Sequence, residues 1–278
     1  QDAINKIKDL NDRYPNEPLL FNLIGACYKE LGHLKGATKM FEAAVSINPK
    51  YAEAHFNLGV IYQALDRLDD AVDSYMKAVA ITPNYPEAYN NIGTSLYELG
   101  HIQSSIENLE WAIAYKHDFS EAHNNLGRSL NDYGKTADAI KSFKNAIAHK
   151  SDYAKAYFNL ALSLKDIGDK EGFLKNIERT LEIKPEWGAA NYHLSQVKKY
   201  KKNDPEAVKM NTLLSGDDLD IIDRINLNFA LAKANEDMGN HDEQFKLLEV
   251  GNNLRKKELN YSIDRDIKLF SRIKEAFN

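Results

Sequence analysis

The sequence predicts an all-α chain built as a solenoid, and three observations carry that expectation. Residues of one kind recur every 34 positions: Gly25, Gly59, Gly93 and Gly127, followed by the small residues Ala161 and Ser195. A second series, Ile24, Leu58, Ile92, Leu126, Leu160 and Leu194, runs one residue ahead, and an aromatic series contains Tyr51, Tyr85, Phe119, Tyr153 and Trp187. Within a period the apolar and small residues fall at helical spacing, as Leu58, Gly59 and Tyr62 do. A fixed period of this length marks stacked units that each bury their apolar face only against neighbours. Such a chain offers surface rather than an enclosed catalytic pocket.

Taken in order, residues 1–17 read as a partial unit. Gln1 to Pro15 has the pattern of a second hairpin helix, with Ala3, Ile7 and Leu10 on its packing face, so the chain is expected to begin mid-repeat. Five units follow over 18–187: Pro18 to Tyr51, Ala52 to Tyr85, Pro86 to Phe119, Ser120 to Tyr153, and Ala154 to Trp187. Each is a helix A, a turn and a helix B. The glycine series removes a side chain where B must come close, and enlarging one is expected to cost roughly 1–3 kcal/mol. Gly32, Gly100, Gly134 and Gly168 stand where helix A ends, with Asp66 in that place in the second unit, and suit a left-handed closing residue. On helix B the series Phe41, Tyr75, Leu109, Phe143, Ile177 and Ala44, Ala78, Ala112, Ala146, Thr180 mark packing, and Ala71 and Ala139 mark close contact. Pro49, Pro83 and Pro185 end helix B or follow it, while His117 and Ser151 replace proline in two units.

Residues 188–278 depart from the pattern. A sixth helix A is expected from about Gly188 to Tyr200, with Lys198 in its apolar place. A short helix from Asp204–Pro205 to Ser215–Gly216 follows, then a longer one capped by Asp217 or Asp218 through Ile221, Ile225, Phe229 and Ala232. Ile225 to Lys257 reads as a degenerate last unit turning at Gly239. The final stretch sets Ile267, Phe270, Ile273 and Phe277 on one helical stripe, expected to cap the stack or dock a further domain.

The period and these residues resemble the tetratricopeptide repeat (TPR). That resemblance implies a right-handed superhelix whose A helices line a concave face, a protein or peptide ligand, and neither catalysis nor a cofactor. Asn57, Asn91, Asn125 and Asn159 recur at the sixth place of four consecutive units; Asn90 and Asn124 precede two of them and Asn22 is adjacent in register. This row resembles the asparagine ladder of O-GlcNAc transferase, where such residues hold a peptide backbone. An amide offers donors and an acceptor that match a peptide unit whatever its side chain. The alternative, that each asparagine bonds its own scaffold, stays open. Phe56, Tyr97, Phe158 and Tyr192 are assigned to the same face for apolar groups, and Arg128, Lys155 and Lys165 for acidic ones. Glu53, Glu87, Glu98 and Glu121 lie toward the amino end, so the groove is expected to run from acidic to basic and orient a ligand. Glu53, Glu87 and Glu121 occupy the place where the carboxylate clamp for chaperone tails uses lysine, which disfavours that ligand.

The carboxyl-terminal part bears a second resemblance. Gly239-Asn-His-Asp-Glu-Gln-Phe, Gly251-Asn-Asn-Leu-Arg-Lys and Tyr261-Ser-Ile-Asp are similar to the segment joining repeats to the catalytic domain in bacterial TPR sulfotransferases. The glycine- and serine-rich phosphosulfate loop of those enzymes does not occur before Asn278. The alternative function is therefore a substrate-presenting arm, and a third is a scaffold that self-associates weakly through exposed terminal helices.

Composition narrows the classes further. Charged residues make up 28% and the formal net charge is -5. No apolar run approaches the ~20 residues needed to span a bilayer, so no membrane partner is expected, and no secretory signal stands at the amino end, though a trimmed fragment would have lost one. The single cysteine, Cys27, reads as a structural thiol in a reducing cytoplasm. Phosphate-cradling glycine loops, His-Glu-x-x-His, Gly-x-Ser-x-Gly and paired cysteines do not occur in the sequence. His55 and His123, at equivalent places, read as packing residues rather than metal ligands. Asp69–Asp70 and Asp217–Asp218 read as helix-start caps. Lys198, Lys199, Lys201 and Lys202 read as a solvated helix end rather than an RNA contact.

Overall fold

The computed structural model describes residues 16–216 and 218–277. They form fifteen helices, with no strand among the described residues, grouped in two compact units, Gln1–Ser163 and Leu164–Asn278. The expected partial helix at Gln1 to Pro15 lies outside the described residues, as does Asp217.

The first unit contains four hairpins and a further A helix: α1 (Pro18–Glu30) with α2 (Leu34–Ile47), α3 (Ala52–Ala64) with α4 (Leu68–Ile81), α5 (Pro86–Glu98) with α6 (Ile102–Tyr115), α7 (Ser120–Asp132) with α8 (Thr136–His149), and α9 (Ala154–Asp166), whose end runs past the division. From α1 through α8 each A helix packs on its own B helix, and each B helix on the next A helix. Contacts also join α1 to α3 and α5 to α7, so A helices share one face.

The joint within each hairpin is a glycine against one large side chain. A Cβ built on Gly127 would lie 2.5 Å from the Phe143 ring; on Gly59, 2.6 Å from Tyr75; on Gly93, 2.6 Å from Leu109; and on Gly25, 2.7 Å from Phe41. Those four partners are essentially fully buried, and burial of each stabilises the hairpin by roughly 1.5–3 kcal/mol. The turn after helix A repeats one cap. Gly134 has φ 84° and the Lys135 N–H reaches back to the Leu130 carbonyl at 2.8 Å; Asp66, the non-glycine variant at φ 58°, keeps the same bond from Arg67 to Tyr62 at 2.9 Å. Lysines closing helix B lie over the aromatic ring that ends the same unit, just before the next helix A: Lys116 over Phe119 at 4.7 Å and Lys150 over Tyr153 at 5.3 Å. Asp69 and Asp70 sit in the first turn of α4 but do not cap it; Asp70 pairs with Arg67 at 2.7 Å.

The second unit contains α10 (Lys170–Ile183), α11 (Gly188–Ser195), α12 (Pro205–Leu214), α13 (Ile221–Met238), α14 (His241–Glu258) and α15 (Ile263–Ala276). The sixth A helix stops at Ser195, not near Tyr200, because the following chain is tied down elsewhere. The buried Asp237 carboxylate of α13 accepts from Lys199 Nζ at 2.7 Å and from the Tyr200 N–H at 3.3 Å, while Lys198 pairs with Asp204 and Glu206. The lysine cluster is thus a loop with two of its charges paired, not a helix end. Gly188 lets α11 meet α13 at backbone distance: its N–H donates to Asp223 Oδ1 at 2.8 Å, and an added Cβ would lie 2.4 Å from the Asp223 carbonyl oxygen. Asp220, rather than the expected Asp218, caps α13, accepting from the Asp223 N–H at 2.8 Å. Asp204 caps α12 as expected, and Gly239, at φ 77°, ends α13 before its hairpin with α14. The core gathers Tyr200, Met210, Leu227, Leu231 and Leu247. Helix α15 buries none of its residues; Ile267, Phe270, Ile273 and Phe277 are all exposed, so it does not cap the stack.

Two predictions follow from these joints. Gly127→Ala is expected to lose about 1–3 kcal/mol in denaturant unfolding, and Gly127→Ala with Phe143→Ile to recover part of it, because the fifth repeat combines Ala161 with Ile177 at the equivalent places. Burial alone would raise the Asp237 pKa, but hydrogen bonds from Lys199, Lys233 and the Tyr200 N–H outweigh it and hold the carboxyl at about 2. A carboxylate depressed in the folded state stabilises it fully above its unfolded pKa of about 3.9 and loses that contribution as pH falls toward 2. The gap in unfolding free energy between the native chain and Asp237→Asn should therefore be about 2 kcal/mol at pH 6 and close between pH 4 and 2.

Candidate functional site

The A-helix face of the first unit carries the asparagines, and the structure shows how they are oriented. Asn22, Asn90 and Asn124, at the fifth place of their repeats, are buried. Each accepts a hydrogen bond from the sixth-place asparagine of the next repeat: Asn57 Nδ2 to Asn22 Oδ1 at 3.0 Å, Asn125 Nδ2 to Asn90 Oδ1 at 3.0 Å, and Asn159 Nδ2 to Asn124 Oδ1 at 2.9 Å. The scaffold reading left open by the sequence therefore holds for one Nδ2 proton of Asn57 and Asn159 and for both of Asn125, which also donates to Thr94 Oγ1 at 3.3 Å. The buried three hold their neighbours and do not face outward.

The one break in the series has a visible cause. The second repeat carries Phe56 at the fifth place, so Asn91 has no amide below it and donates to the Tyr75 hydroxyl at 3.2 Å. Phe56 itself is half-buried, stacked on Tyr85 at 4.9 Å and tilted against Tyr75 at 5.5 Å, which makes it a packing residue. Burial pushes the Tyr85 hydroxyl up to about 12, so it is neutral at ordinary pH.

Asn57, Asn91, Asn125 and Asn159 remain half-buried. Asn91 and Asn125 also accept long bonds from Asn90 and Asn124, at 3.3 and 3.4 Å. Among the described residues Asn57 Oδ1 and Asn159 Oδ1 have no hydrogen-bond donor within the fold. A fixed amide with unused valence on a shared face is a preorganised hydrogen-bonding group.

Tyr97, Arg128 and Asn159 come together in a small pocket of about 160 Å³ also lined by Asn131, Asp132, Phe143, Leu162 and Ser163. The Arg128 guanidinium lies over the Tyr97 ring at 4.7 Å, and the Tyr97 hydroxyl donates to Asp132. Phe158 is half-buried and Lys155 exposed. Lys165, whose ammonium lies 5.9 Å from the centre of the Phe173 ring, and Tyr192, which lines a pocket with Phe229 and Leu248, belong to the second unit. The acidic end of the expected gradient is weaker than the sequence implies. Glu53 accepts from Asn22 at 3.2 Å and Glu87 pairs with Lys116 at 3.1 Å, leaving Glu98 and Glu121 exposed.

A polar seam that the sequence reading missed runs beside this row. The fourth residue of a repeat reaches the backbone carbonyl six positions earlier: His55 Nε2 to Pro49 at 3.0 Å, His123 Nε2 to His117 at 2.9 Å, the Tyr157 hydroxyl to Ser151 at 3.4 Å, and, in the second unit, Asn191 Nδ2 to Pro185 at 3.0 Å. The histidines thus serve the turn, and no group of histidine, cysteine or carboxylate side chains suited to a metal ion occurs among the described residues. The signal was available in the period, since each of these residue types carries a polar tip. Cys27 is half-buried. No helix among the described residues is long and apolar enough to cross a membrane.

Comparison with known proteins agrees with this construction. Residues 25–66 and 64–100 match the family described as TPR repeat, and residues 154–186 match that described as tetratricopeptide repeat. No curated protein sequence matches the chain. Among solved structures, MamA is similar at 24% identity, covering 59% of this chain and 95% of its own, with a TM-score of 0.55. YrrB, described as a TPR protein with an unusual peptide-binding site, matches at 17% identity over 67% of this chain and 96% of its own, with a TM-score of 0.58. PilF of Pseudomonas aeruginosa matches at 18% identity over 77% of this chain and 91% of its own, with a TM-score of 0.61. The glycine joints, the left-handed caps and these matches together establish that the chain carries tetratricopeptide repeats and has the all-α fold of a TPR solenoid.

Proposed function

We propose that the first unit binds an extended polypeptide along its A-helix face, through the row Asn57, Asn91, Asn125 and Asn159, without chemistry of its own. The observation that carries this reading is the anchoring of the row. Three of the four amides are held by a buried asparagine of the preceding repeat, so their remaining donors and acceptors keep fixed directions at a regular spacing. A ligand that presents N–H and C=O groups at regular intervals, whatever its side chains, matches such a row. The Arg128–Tyr97 pocket beside Asn159 then receives an acidic or aromatic side chain at one end, with Phe158 adding apolar contact.

Magnitudes set the affinity class. The scaffold takes one donor from Asn57, Asn91 and Asn159 and both from Asn125, which keeps only acceptor capacity on its oxygen. At most about one bond per asparagine is left, and four such bonds contribute roughly 2–6 kcal/mol net. Ordering eight peptide residues costs on the order of 1–2 kcal/mol each. Backbone recognition alone is therefore weak, and side-chain contacts decide which sequences are retained.

The test is fluorescence anisotropy with labelled twelve-residue peptides selected on the native chain. Backbone N-methylation of a selected peptide, and Asn91→Ala in the protein, should each weaken binding by about tenfold or more. Asn125→Ala should do the same while also lowering stability by about 1–3 kcal/mol, since the buried Asn90 Oδ1 loses its donor. Asn91→Ala should cost less, because the Tyr75 hydroxyl keeps its bond to Gln63 at 3.0 Å. Equal affinity for methylated and unmethylated peptides, with unchanged binding by Asn91→Ala, would defeat the proposal.

A further inference from the structure

The repeat is its own control: what the fold requires recurs, and what occurs once is available for something else. At the twenty-sixth place of the five units stand Ala43, Lys77, Trp111, Asn145 and Arg179. The fold therefore accepts small, charged and polar side chains there, and Trp111 is 55% exposed. One turn later, where Ile47, Ile81 and Ile183 stand in other units, the third carries Tyr115, also exposed. Tyr89 completes the group. It occupies the fourth place, where His55, His123, Tyr157 and Asn191 bond a turn carbonyl in other repeats, but among the described residues it makes no such bond, and its ring lies against the other two.

These three rings pack on one another. Their planes are within 22–32° of one another, with centroids 5.6 Å apart for Tyr89 and Tyr115, 6.0 Å for Trp111 and Tyr115, and 6.5 Å for Tyr89 and Trp111. Tyr115 is thus stacked, offset, against both Tyr89 and Trp111, and the three form a mosaic of partly overlapping rings in which Trp111 stays more than half exposed. Tyr89 sits about 200° around α5 from Asn91, so the mosaic is on a different side from the amide row.

The surroundings choose among ligands. Helix α6 carries Glu107 and Glu110 and no basic residue, and Glu107 is one turn before Trp111 on the same face. The nearest basic residue in sequence, Lys116, is paired with Glu87 and lies over Phe119. Tyr115 ends α6, where free carbonyls make the negative pole of the helix, and Trp111 stands one turn before it. Ring faces, a carboxylate and a helix C-terminus all favour a cation. Rings of the same unit accept both kinds of cation: the guanidiniums of Arg67 and Arg128 lie 4.4 and 4.7 Å from the centres of the Tyr62 and Tyr97 rings, and the ammoniums of Lys116 and Lys150 4.7 and 5.3 Å from those of Phe119 and Tyr153. Among the described residues no cation lies over Tyr89, Trp111 or Tyr115.

We propose that Tyr89, Trp111 and Tyr115 form a second docking surface, for an arginine side chain of a partner polypeptide, stacked on the exposed indole and paired with Glu107. A guanidinium suits it better than an ammonium because it is planar and weakly hydrated, and so stacks on a ring face. This surface does not depend on the amide row.

The experiment uses the full chain with Trp187→Phe, which leaves Trp111 as the single indole, and a hexa-arginine peptide. Saturable quenching of Trp111 emission is expected, with hexa-citrulline, isosteric but neutral, at least tenfold weaker. By anisotropy of the labelled peptide, Trp111→Ala, which restores the residue of the first repeat without changing charge, should weaken binding about tenfold, and Glu107→Gln by severalfold. Both variants should melt within a few degrees of the parent. Equal binding of citrulline and arginine peptides, or anisotropy unaffected by Trp111→Ala, would overturn the assignment. Quenching by a glucan hexaose but not by arginine would assign the mosaic to carbohydrate instead.

Discussion

Each hairpin of the first unit depends on one contact, the approach of a bare glycine Cα to a large buried side chain of helix B. That contact sets the distance between the two helices, because side chains at the crossing decide how near two axes can come. With the joint nearly constant at Gly25, Gly59, Gly93 and Gly127, the hairpins are nearly copies of one another. Copies stack by a repeated displacement, so a pair of side chains that bonds at one junction bonds at others. The Asn22–Asn57, Asn90–Asn125 and Asn124–Asn159 bonds, each 35 residues apart, are that consequence. The polar row is thus ordered by an apolar contact on the other side of the same helix.

Under the proposed function the row performs two kinds of work with one residue type. A buried asparagine could not be tolerated without partners, and the next repeat supplies them. Once its neighbour is anchored, that neighbour loses little rotamer freedom on meeting a ligand, which lowers the entropic cost of binding. Cohesion between repeats and readiness for a peptide backbone are therefore one property of the row. The second repeat shows the trade directly. Phe56 replaces the buried amide with ring packing, and Asn91 turns to a tyrosine hydroxyl, keeping its own place on the face.

The fold was legible from the period because apolar packing repeats with the sequence. Gly134 and Asp66 stood where left-handed residues were expected, and the A helices begin at Pro18, Ala52, Pro86, Ser120 and Ala154. What escaped the sequence were contacts between residues without a shared pattern. Nothing in Lys198–Lys202 shows that Asp237, some 35 residues on, will take two of their donors and end α11 at Ser195. Asp220 rather than Asp218 caps α13, at a helix start whose Asp223 also accepts from the Gly188 N–H, a contact between segments with no shared pattern. The asparagines were recognised as a row, but their division into buried anchors and half-buried partners depends on the junction between repeats. Spacing within one repeat cannot show it; the 35-residue offset between the fifth and sixth places could have.

Departures from the period carry the remaining information, and they are of two kinds. Some are compensated inside the fold: Phe56 by Tyr75 and Tyr85, or the lost proline at His117 by a carbonyl that His123 still engages. Others are not. Trp111 replaces residues as different as alanine, lysine and asparagine, so helix packing exerts little demand on that place, and an indole left half in water lowers solubility without stabilising the hairpin. A residue that the scaffold neither requires nor covers has its explanation outside the scaffold. The same criterion separates the exposed stripe of α15 from the mosaic: the helix has no repeated counterpart to serve as its control, whereas Tyr89, Trp111 and Tyr115 have four. In a repeat protein the period identifies the architecture, and the uncompensated exceptions identify where a particular chain has been turned to a particular partner.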